Sequence, residues 1–449
     1  MEGLIKGDRQ FNPAQLLVVS FLVAILVGTG LLTLPWSTEE GGITLIDAFF
    51  TSTSAVCVTG LIVRDTPTCF TPFGQVVLLV LLQLGGLGIM TFSTLVLLVA
   101  GRKISITERL LVEGEFHHSG SKNMTSLIRN IFLYTFAIEG IGAVLFFVRW
   151  GGSWKPGRVF FLSLFHSISA FCNAGFSLFS DSFESFRGDP WLNGILILLI
   201  ILGGLGFLVL HECGTFFLTR VNGKKHHFSL HARMVLSLTL ILILVSFFVF
   251  LVSEWNVSLK SYGTGEKILT ALFQGVTTRT AGFNTINMNT VGTATTGLLI
   301  FLMFVGASPG STGGGIKTST IGVLLAFLRS KLNARESVHA FRRTLPTSLV
   351  LKAFTVLTLS VVFIFLSAFL LLSVEPELSM RMVFFEVFSA FGTVGLSMGL
   401  TPHLGTAGKI ILIVTMYVGR IGPMALLYAF SRRRPYGKFE YVEESVMIG

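Results

Sequence analysis

Charge is what this sequence has least of. Only 12% of its 449 residues are Asp, Glu, Lys or Arg, against about a quarter in an ordinary soluble domain. With 52% hydrophobic residues and a mean hydropathy of +0.77, little polar surface is left, which excludes a separate soluble domain and points to a polytopic protein embedded in membrane lipid. Cysteine is also scarce. Cys57, Cys69, Cys172 and Cys213 share no metal-ligand spacing and no dense disulfide pattern. A dinucleotide-binding fingerprint is missing too, so any nucleotide control must come from another protein. The formal net charge of +10 would suit a nucleic-acid partner, but the basic residues sit in short clusters between apolar runs and read as topology signals. No nucleic acid is expected. The first apolar run, Leu16 to Leu34, follows Lys6 and Arg9 as a signal peptide would, yet it lacks a small-residue cleavage site and is read as a span.

Apolar runs of roughly 20 residues mark full spans, here at about 15–35, 75–100, 127–148, 191–219, 233–253, 294–328 (interrupted), 348–373 and 406–430. Between the spans of each pair lies a run too short to cross, at 44–56, 158–171, 266–278 and 379–391. The order is span, half-helix, loop, span, four times over. Each loop carries a glycine in a similar setting: "VCVTGL" with Gly60, "FCNAGF" with Gly175, "TRTAGF" with Gly282 and "FGTVGL" with Gly395, at intervals of 115, 107 and 113 residues. A second landmark follows in step. "LGGLG" occurs at Leu84 and Leu202, "VGAS" at Val305 and "VGRI" at Val418, and the first glycine of each lies 25, 28, 24 and 24 residues after its loop glycine. Two landmarks in register indicate true internal repetition. The expected units are repeats at 15–101, 124–220, 232–329 and 347–431, flanked by tails at 1–14 and 432–449. The fold class is an all-α polytopic membrane protein, four span–pore-helix–span repeats around one central pore in the manner of a potassium channel.

Of the 33 Lys and Arg residues, 21 fall on one side of this topology and 10 on the other, with Lys317 and Arg420 inside spans. The richer side is expected to be cytoplasmic, which puts both termini in the cytoplasm and lets all four loops enter from outside.

Irregular backbone at membrane depth is tolerated where protein buries it or where it lines a wet path. A single glycine after a helix is most simply a C-terminal cap. Four equivalent ones can instead surround an axis, glycine permitting the angles that turn successive carbonyls the same way. Such a ring replaces the hydration shell of a monovalent cation without fixed charge, and the half-helices end with their partly negative carbonyl ends nearby. The surrounding side chains are uncharged apart from Arg279. That favours a large, weakly hydrated cation such as potassium, since calcium or magnesium would draw carboxylates. The expected ion-coordinating residues, with potassium at the glycines, are Val58, Thr59 and Gly60; Asn173, Ala174 and Gly175; Thr280, Ala281 and Gly282; and Thr393, Val394 and Gly395. Cys57 and Cys172, each three residues before its glycine, read as small fillers.

"FVGASPGSTGGGIKTST" (Phe304 to Thr320) breaks the sixth long span. Gly310, Gly315 and Lys317-Thr318 resemble a phosphate-binding loop, but Ile316 spoils the spacing and no strand precedes it. Each flank is too short to cross alone, so the stretch reads as an intramembrane gate below the filter, formed by Gly306, Ser308, Pro309, Gly310, Gly313, Gly314, Gly315, Lys317 and Arg420. Lys317 lies nearer the cytoplasm, within reach of water. Arg420 must face the pore or a partner, either pairing with loop carbonyls or acting as a barrier to ions. Interhelical pairing is expected for Glu139, pore-helix support for Glu386 and a helix cap for Asp47.

With these features the chain resembles the Trk/Ktr/HKT superfamily of potassium transporters over nearly its whole length and, within it, the membrane subunit of the bacterial Ktr potassium-uptake system. The resemblance implies potassium uptake, the same gate, a homodimer in the bacterial inner membrane, and a docked cytoplasmic ring of nucleotide-binding regulatory subunits. Glycine at all four filter positions, Gly60 included, favours potassium, because serine in the first filter goes with sodium preference in the plant relatives. Sodium selectivity or cotransport is the alternative. No covalent cofactor is expected. An intramembrane enzyme would need a nucleophile–base pair or metal ligands at one depth, and His211-Glu212 lacks the second histidine of a zinc site. Inverted repeats do not match four units running in the same direction.

Overall fold

The computed structural model describes residues 13–39, 42–88, 124–221, 227–430 and the single positions 223 and 444. Outside the described residues lie the N-terminal residues up to 12, the second half of the span expected at 75–100, the connection that follows it, and nearly all of the tail at 432–449. Four described helices are long and apolar enough to cross a membrane: Ala14–Leu32, Arg129–Trp150, Leu230–Glu254 and Thr347–Val374. They coincide with the first span expected of each repeat. Much of their apolar surface, for example Val23, Leu133, Leu240 and Phe365, is exposed, as suits helices whose outer face meets hydrocarbon.

Each long helix is followed by a half-helix: Leu45–Val56, Pro156–Phe171, Thr264–Thr277 and Met380–Gly392. Their starts are locally encoded. Thr44 and Ser379 accept the N–H groups of Asp47 and Met382, and Pro156 opens the second at a position where its missing N–H costs nothing. Asp47 is therefore not the cap expected of it. Its carboxylate accepts from Arg64 at 3.0 Å and Lys409 at 2.6 Å. A return helix then leads back: Pro72–Leu87, Pro190–Leu205, Thr293–Phe304 and Thr406–Ile421.

The packing is cyclic. The return helices Pro72–Leu87, Pro190–Leu205 and Thr293–Phe304 each pack on the half-helix of the next repeat, and Thr406–Ile421 packs on Leu45–Val56, closing the ring. Side chains stitch the same seams on the face where the half-helices begin. Ser180 donates to Asp65 at 2.7 Å, Asn284 to Glu184 at 2.8 Å, and Arg381 to Thr296 at 2.8 Å.

Two spans read as continuous are not. The second span of the second repeat bends by 107° between Pro190–Leu205 and Phe207–Val221, and that of the fourth by 90° between Thr406–Ile421 and Pro423–Ala429. The pivots are Gly206 and Gly422, with φ/ψ of 89°/140° and 89°/139°, a region closed to residues with a β-carbon. In the first repeat Gly88, at 81°/127°, ends its helix in the same way. All three glycines lie three residues after the first glycine of the second landmark, where the third repeat has Pro309. The interruption expected of one repeat thus has counterparts in the others. A two-stranded hairpin, Val338–Ala340 with Arg343–Leu345, is the one small departure from an all-α chain among the described residues.

Candidate functional site

The four half-helices end pointing at one another, and the chain then continues as a short extended loop. Val58, Asn173, Thr280 and Thr393 have φ of 55°, 57°, 75° and 48°, and the glycines two residues later have φ of 92°, 69°, 80° and 89°. Left-handed residues thus alternate with ordinary ones, so successive carbonyls turn to the same side. The N–H groups are taken up behind. Those of Thr59, Ala174 and Val394 donate to Ser54, Ser169 and Ser389 carbonyls at 2.8 Å, and that of Ala281 to Thr277 at 3.0 Å. Tied back in this way, the amides leave the opposite side of the strand to carbonyl oxygens.

The loops touch in a closed cycle. A β-carbon on Gly60 would lie 2.5 Å from the Ala174 oxygen, on Gly175 2.8 Å from Ala281, on Gly282 2.5 Å from Val394 and on Gly395 2.2 Å from Thr59. Each glycine thus abuts the carbonyl of the next loop, and the fourth abuts the first. Of the twelve residues expected to coordinate an ion, the four glycines and the residue before each meet in this cycle.

The second landmark has a local cause. β-carbons on Gly85, Gly203 and Gly419 would lie 2.1, 1.9 and 1.9 Å from the carbonyl oxygens of Val56, Phe171 and Phe391, at the last or next-to-last residue of the half-helices of their own repeats. Only a bare backbone fits there. In the third repeat Gly306 abuts Gly314 instead, at 2.1 Å, because here the chain folds into the loop between Phe304 and Thr318.

That loop is closed by a bridge between Val305 and Ile316 and lies directly against the glycine ring. Gly314 N–H donates to the Thr393 hydroxyl at 2.8 Å, and a β-carbon on Gly313 would lie 2.3 Å from the Thr280 hydroxyl. The second repeat holds the loop through Thr312 and Ser308, whose N–H groups donate to Gly203 and Gly204 at 3.3 and 3.1 Å, and Phe207 N–H returns a bond to Gly310 at 2.9 Å. From the fourth repeat, Gly419 accepts from Gly315 N–H at 3.2 Å. Arg420 donates to the carbonyls of Thr312 and Gly85, joining the loop to the first repeat as well. Lys317, partly exposed, folds back and donates to Gly313 at 2.7 Å. All nine residues assigned to the gate are in or against this loop.

The remaining polar groups divide clearly. Gln83 donates to both oxygens of Glu139 at 3.1 Å, an interhelical pairing between the first two repeats. Cys57 and Cys172 are fully buried and unbridged; Cys172 fills the space beside Gly86, where a β-carbon would approach its sulfur to 2.5 Å. Glu212 accepts from the N–H and hydroxyl of Ser229, at the start of Leu230–Glu254. Arg279 is buried, its Nε has no hydrogen-bond partner, and it lines a cavity of about 10 Å³ with Ile200, Gly204 and Ile243, room for a single water.

Residues 8–441 match the model of the family described as TrkH, cation transport protein. The chain is 40% identical to the Ktr system potassium uptake protein B of Bacillus subtilis, over all of this chain and 99% of that one. It is 36% identical to the potassium/sodium uptake protein NtpJ of Enterococcus hirae, over 98% of each. The crystal structure of the potassium transporter TrkH from Vibrio parahaemolyticus superposes with a TM-score of 0.72, covering 95% of this chain and 87% of that one at 21% identity, a likeness of fold.

Proposed function

Because this chain belongs to the TrkH family of cation transport proteins, we propose that it takes up potassium through a pore on the axis of its four loops. It is a membrane transporter and not an enzyme. The observation that carries the pore reading is the closed cycle of glycine-to-carbonyl contacts, Gly60 on Ala174, Gly175 on Ala281, Gly282 on Val394 and Gly395 on Thr59. Four carbonyl-bearing strands at that separation supply oxygens to a dehydrated monovalent cation, and their N–H groups are already engaged behind the strand. The residues on this path are Val58, Thr59, Gly60, Asn173, Ala174, Gly175, Thr280, Ala281, Gly282, Thr393, Val394 and Gly395.

Below the filter the loop from Gly306 to Gly315 acts as the gate. It lies against Thr280 and Thr393 and is held by Arg420, so an ion leaving the filter meets it at once. Opening requires the Arg420 and Thr312 bonds to break or shift. The name of the Bacillus subtilis relative makes it one part of a Ktr system, which supports a gate set in this chain by another component, a cytoplasmic ring of nucleotide-binding subunits on which a homodimer docks. The protein sits in the bacterial inner membrane with both termini cytoplasmic, and its half-helices begin on the outer face. The name of the Enterococcus hirae relative favours a second reading in which sodium is also carried.

Rubidium uptake into potassium-starved cells expressing this chain, with and without competing sodium, is the deciding experiment. Saturable uptake that sodium inhibits weakly supports the potassium reading. Equal competition by sodium replaces it with the second reading, and absence of uptake with the chain in the membrane removes both.

A further inference from the structure

Besides the hydroxyls of Ser169 and Thr277, which donate to the Phe176 and Phe283 carbonyls, each half-helix carries one larger polar side chain that reaches the stretch past its own loop glycine. Glu386, nine residues before Gly395, accepts from the Ser397 hydroxyl at 2.7 Å, from Thr401 N–H at 3.1 Å and from the Thr401 hydroxyl. His166, nine residues before Gly175, has Nδ1 2.8 Å from the Leu162 carbonyl, while Nε2 accepts from Leu178 N–H at 3.2 Å and meets the Ser177 hydroxyl at 3.2 Å. A carbonyl on one side and an N–H on the other fix the neutral tautomer with its proton on Nδ1. Gln274, eight residues before Gly282, donates to the Thr285 hydroxyl at 3.4 Å. The shift by one residue follows the third loop, where Ala281 N–H bonds four residues back and its counterparts bond five back. In the first repeat the corresponding Thr51 is bonded to its own helix, to Asp47 O at 2.8 Å. There Asp47, on the same half-helix, takes the part and binds Arg64, four residues past Gly60. His166, Gln274 and Glu386 are fully buried, and Asp47 is 2% exposed.

We propose that Glu386, His166, Gln274 and Asp47 are positioning residues for ion selection. Each anchors the outer end of its filter strand to the half-helix behind it, and together they set the discrimination between potassium and sodium without touching the ion. This rests on the carbonyl-filter reading. The filter strands have no sheet ladder to hold them, and a carbonyl ring selects by size and field only as far as its oxygens resist collapse onto a smaller ion. Polar ties between strand and helix oppose such collapse: the Ser54 and Ser389 hydroxyls accept the N–H groups of Gly60 and Gly395 at 3.1 Å, and the four larger side chains hold the chain beyond the glycines. The fourth repeat gives the sharpest test. One carboxylate oxygen of Glu386, Oε1, accepts from Ser397 and twice from Thr401, whereas Oε2 is buried without a partner. A glutamine therefore keeps every one of these bonds, and an alanine keeps none.

The experiment measures rubidium affinity and the sodium inhibition constant for the full chain in potassium-starved cells, with membrane expression quantified. Glu386→Ala is expected to lower the ratio of rubidium to sodium preference about tenfold, the effect of losing charged hydrogen bonds. Glu386→Gln should stay within about threefold of the native ratio, and Ser397→Ala should shift in the same direction as alanine by a smaller factor. Gly395→Ser is the control for the filter itself. If Gly395→Ser changes discrimination while a membrane-inserted Glu386→Ala does not, the positioning role is overturned and the filter stands. If Gly395→Ser has no effect, the filter reading falls and takes this one with it. Glutamine as impaired as alanine overturns the hydrogen-bond account. Should Glu386→Ala fail to insert, Ser397→Ala decides: unchanged discrimination there overturns the proposal.

Discussion

A β-carbon added to Gly282 would meet the Val394 carbonyl oxygen at 2.5 Å, on a residue whose φ is +80°. Both facts count against any side chain, and they act on the same pair of strands. Gly282→Ser is therefore expected to widen the ring between the third and fourth repeats and lower discrimination against sodium about tenfold or more. Rubidium uptake with graded sodium, at matched membrane expression, measures it. Unchanged affinity and unchanged sodium competition would remove Gly282 from the ion path. The four glycines were legible because they recur in step with a second glycine landmark. Their partners two residues earlier were not. Nothing in Val58 or Thr393 as residue types announces a left-handed conformation, which costs roughly 1–3 kcal/mol and persists only where the surroundings impose it. The ties from Glu386 and His166 were equally hidden, since they join residues 11 or more positions apart in sequence through a loop of no regular form.

At the scale of elements, the long helices and half-helices were readable from the length of apolar runs alone, because hydrocarbon allows few alternatives to a helix. The bends at Gly206 and Gly422 were not, because a run such as "ILGGLGFLVL" is as apolar after the break as before it and hydropathy does not register a change of direction. The signal that marks them is the third residue past the landmark glycine, a glycine or proline in every repeat. The loop of the third repeat was visible because its break, from Val305 to Lys317, is long, rich in glycine and polar in places. Its interactions yield two predictions. Deleting Gly313–Gly315 is expected to raise maximal flux, since it shortens the loop proposed as the gate, which lies against Thr280 and Thr393. Some change in affinity should accompany it, because Gly314 supports Thr393. Arg420→Ala should likewise raise flux and make it less dependent on a regulatory partner, since the guanidinium binds loop and first repeat at once. Arg420→Lys should be intermediate, as a single ammonium cannot span both carbonyls with the same fork. Flux in vesicles with and without cytoplasmic extract tests both. A folded Arg420→Ala with lower or equal flux would return the residue to a structural role.

Considered as a whole, the molecule is a ring of four units made from one chain, and a single chain can covalently join only three of the four seams. The seam between the fourth repeat and the first must close by contact alone. Apolar packing between Thr406–Ile421 and Leu45–Val56 does part of this, as do Tyr417 and Arg420, which donate to the Val18 and Gly85 carbonyls, and Asp47 adds an ion pair, accepting Lys409 from the fourth repeat and Arg64 from its own. The two cations are not equivalent. Lys409 has a side chain 14% exposed, whereas that of Arg64 is 54% exposed. Removing Arg64 should therefore cost roughly 0.5 kcal/mol, the worth of a solvated pair. Asp47→Ala leaves a largely buried ammonium without its counter-charge, which should cost about 3 kcal/mol. The two results should appear as a small and a large fall in the thermal midpoint of the purified protein in detergent at fixed potassium. Adding Lys409→Met to Asp47→Ala removes the stranded charge and should recover part of the loss, because an apolar group of similar length tolerates the site that a lone cation does not. A double variant no more stable than Asp47→Ala, with the two losses simply adding, would show that the pair is uncoupled and that the seam is closed by its helix packing and its other hydrogen bonds.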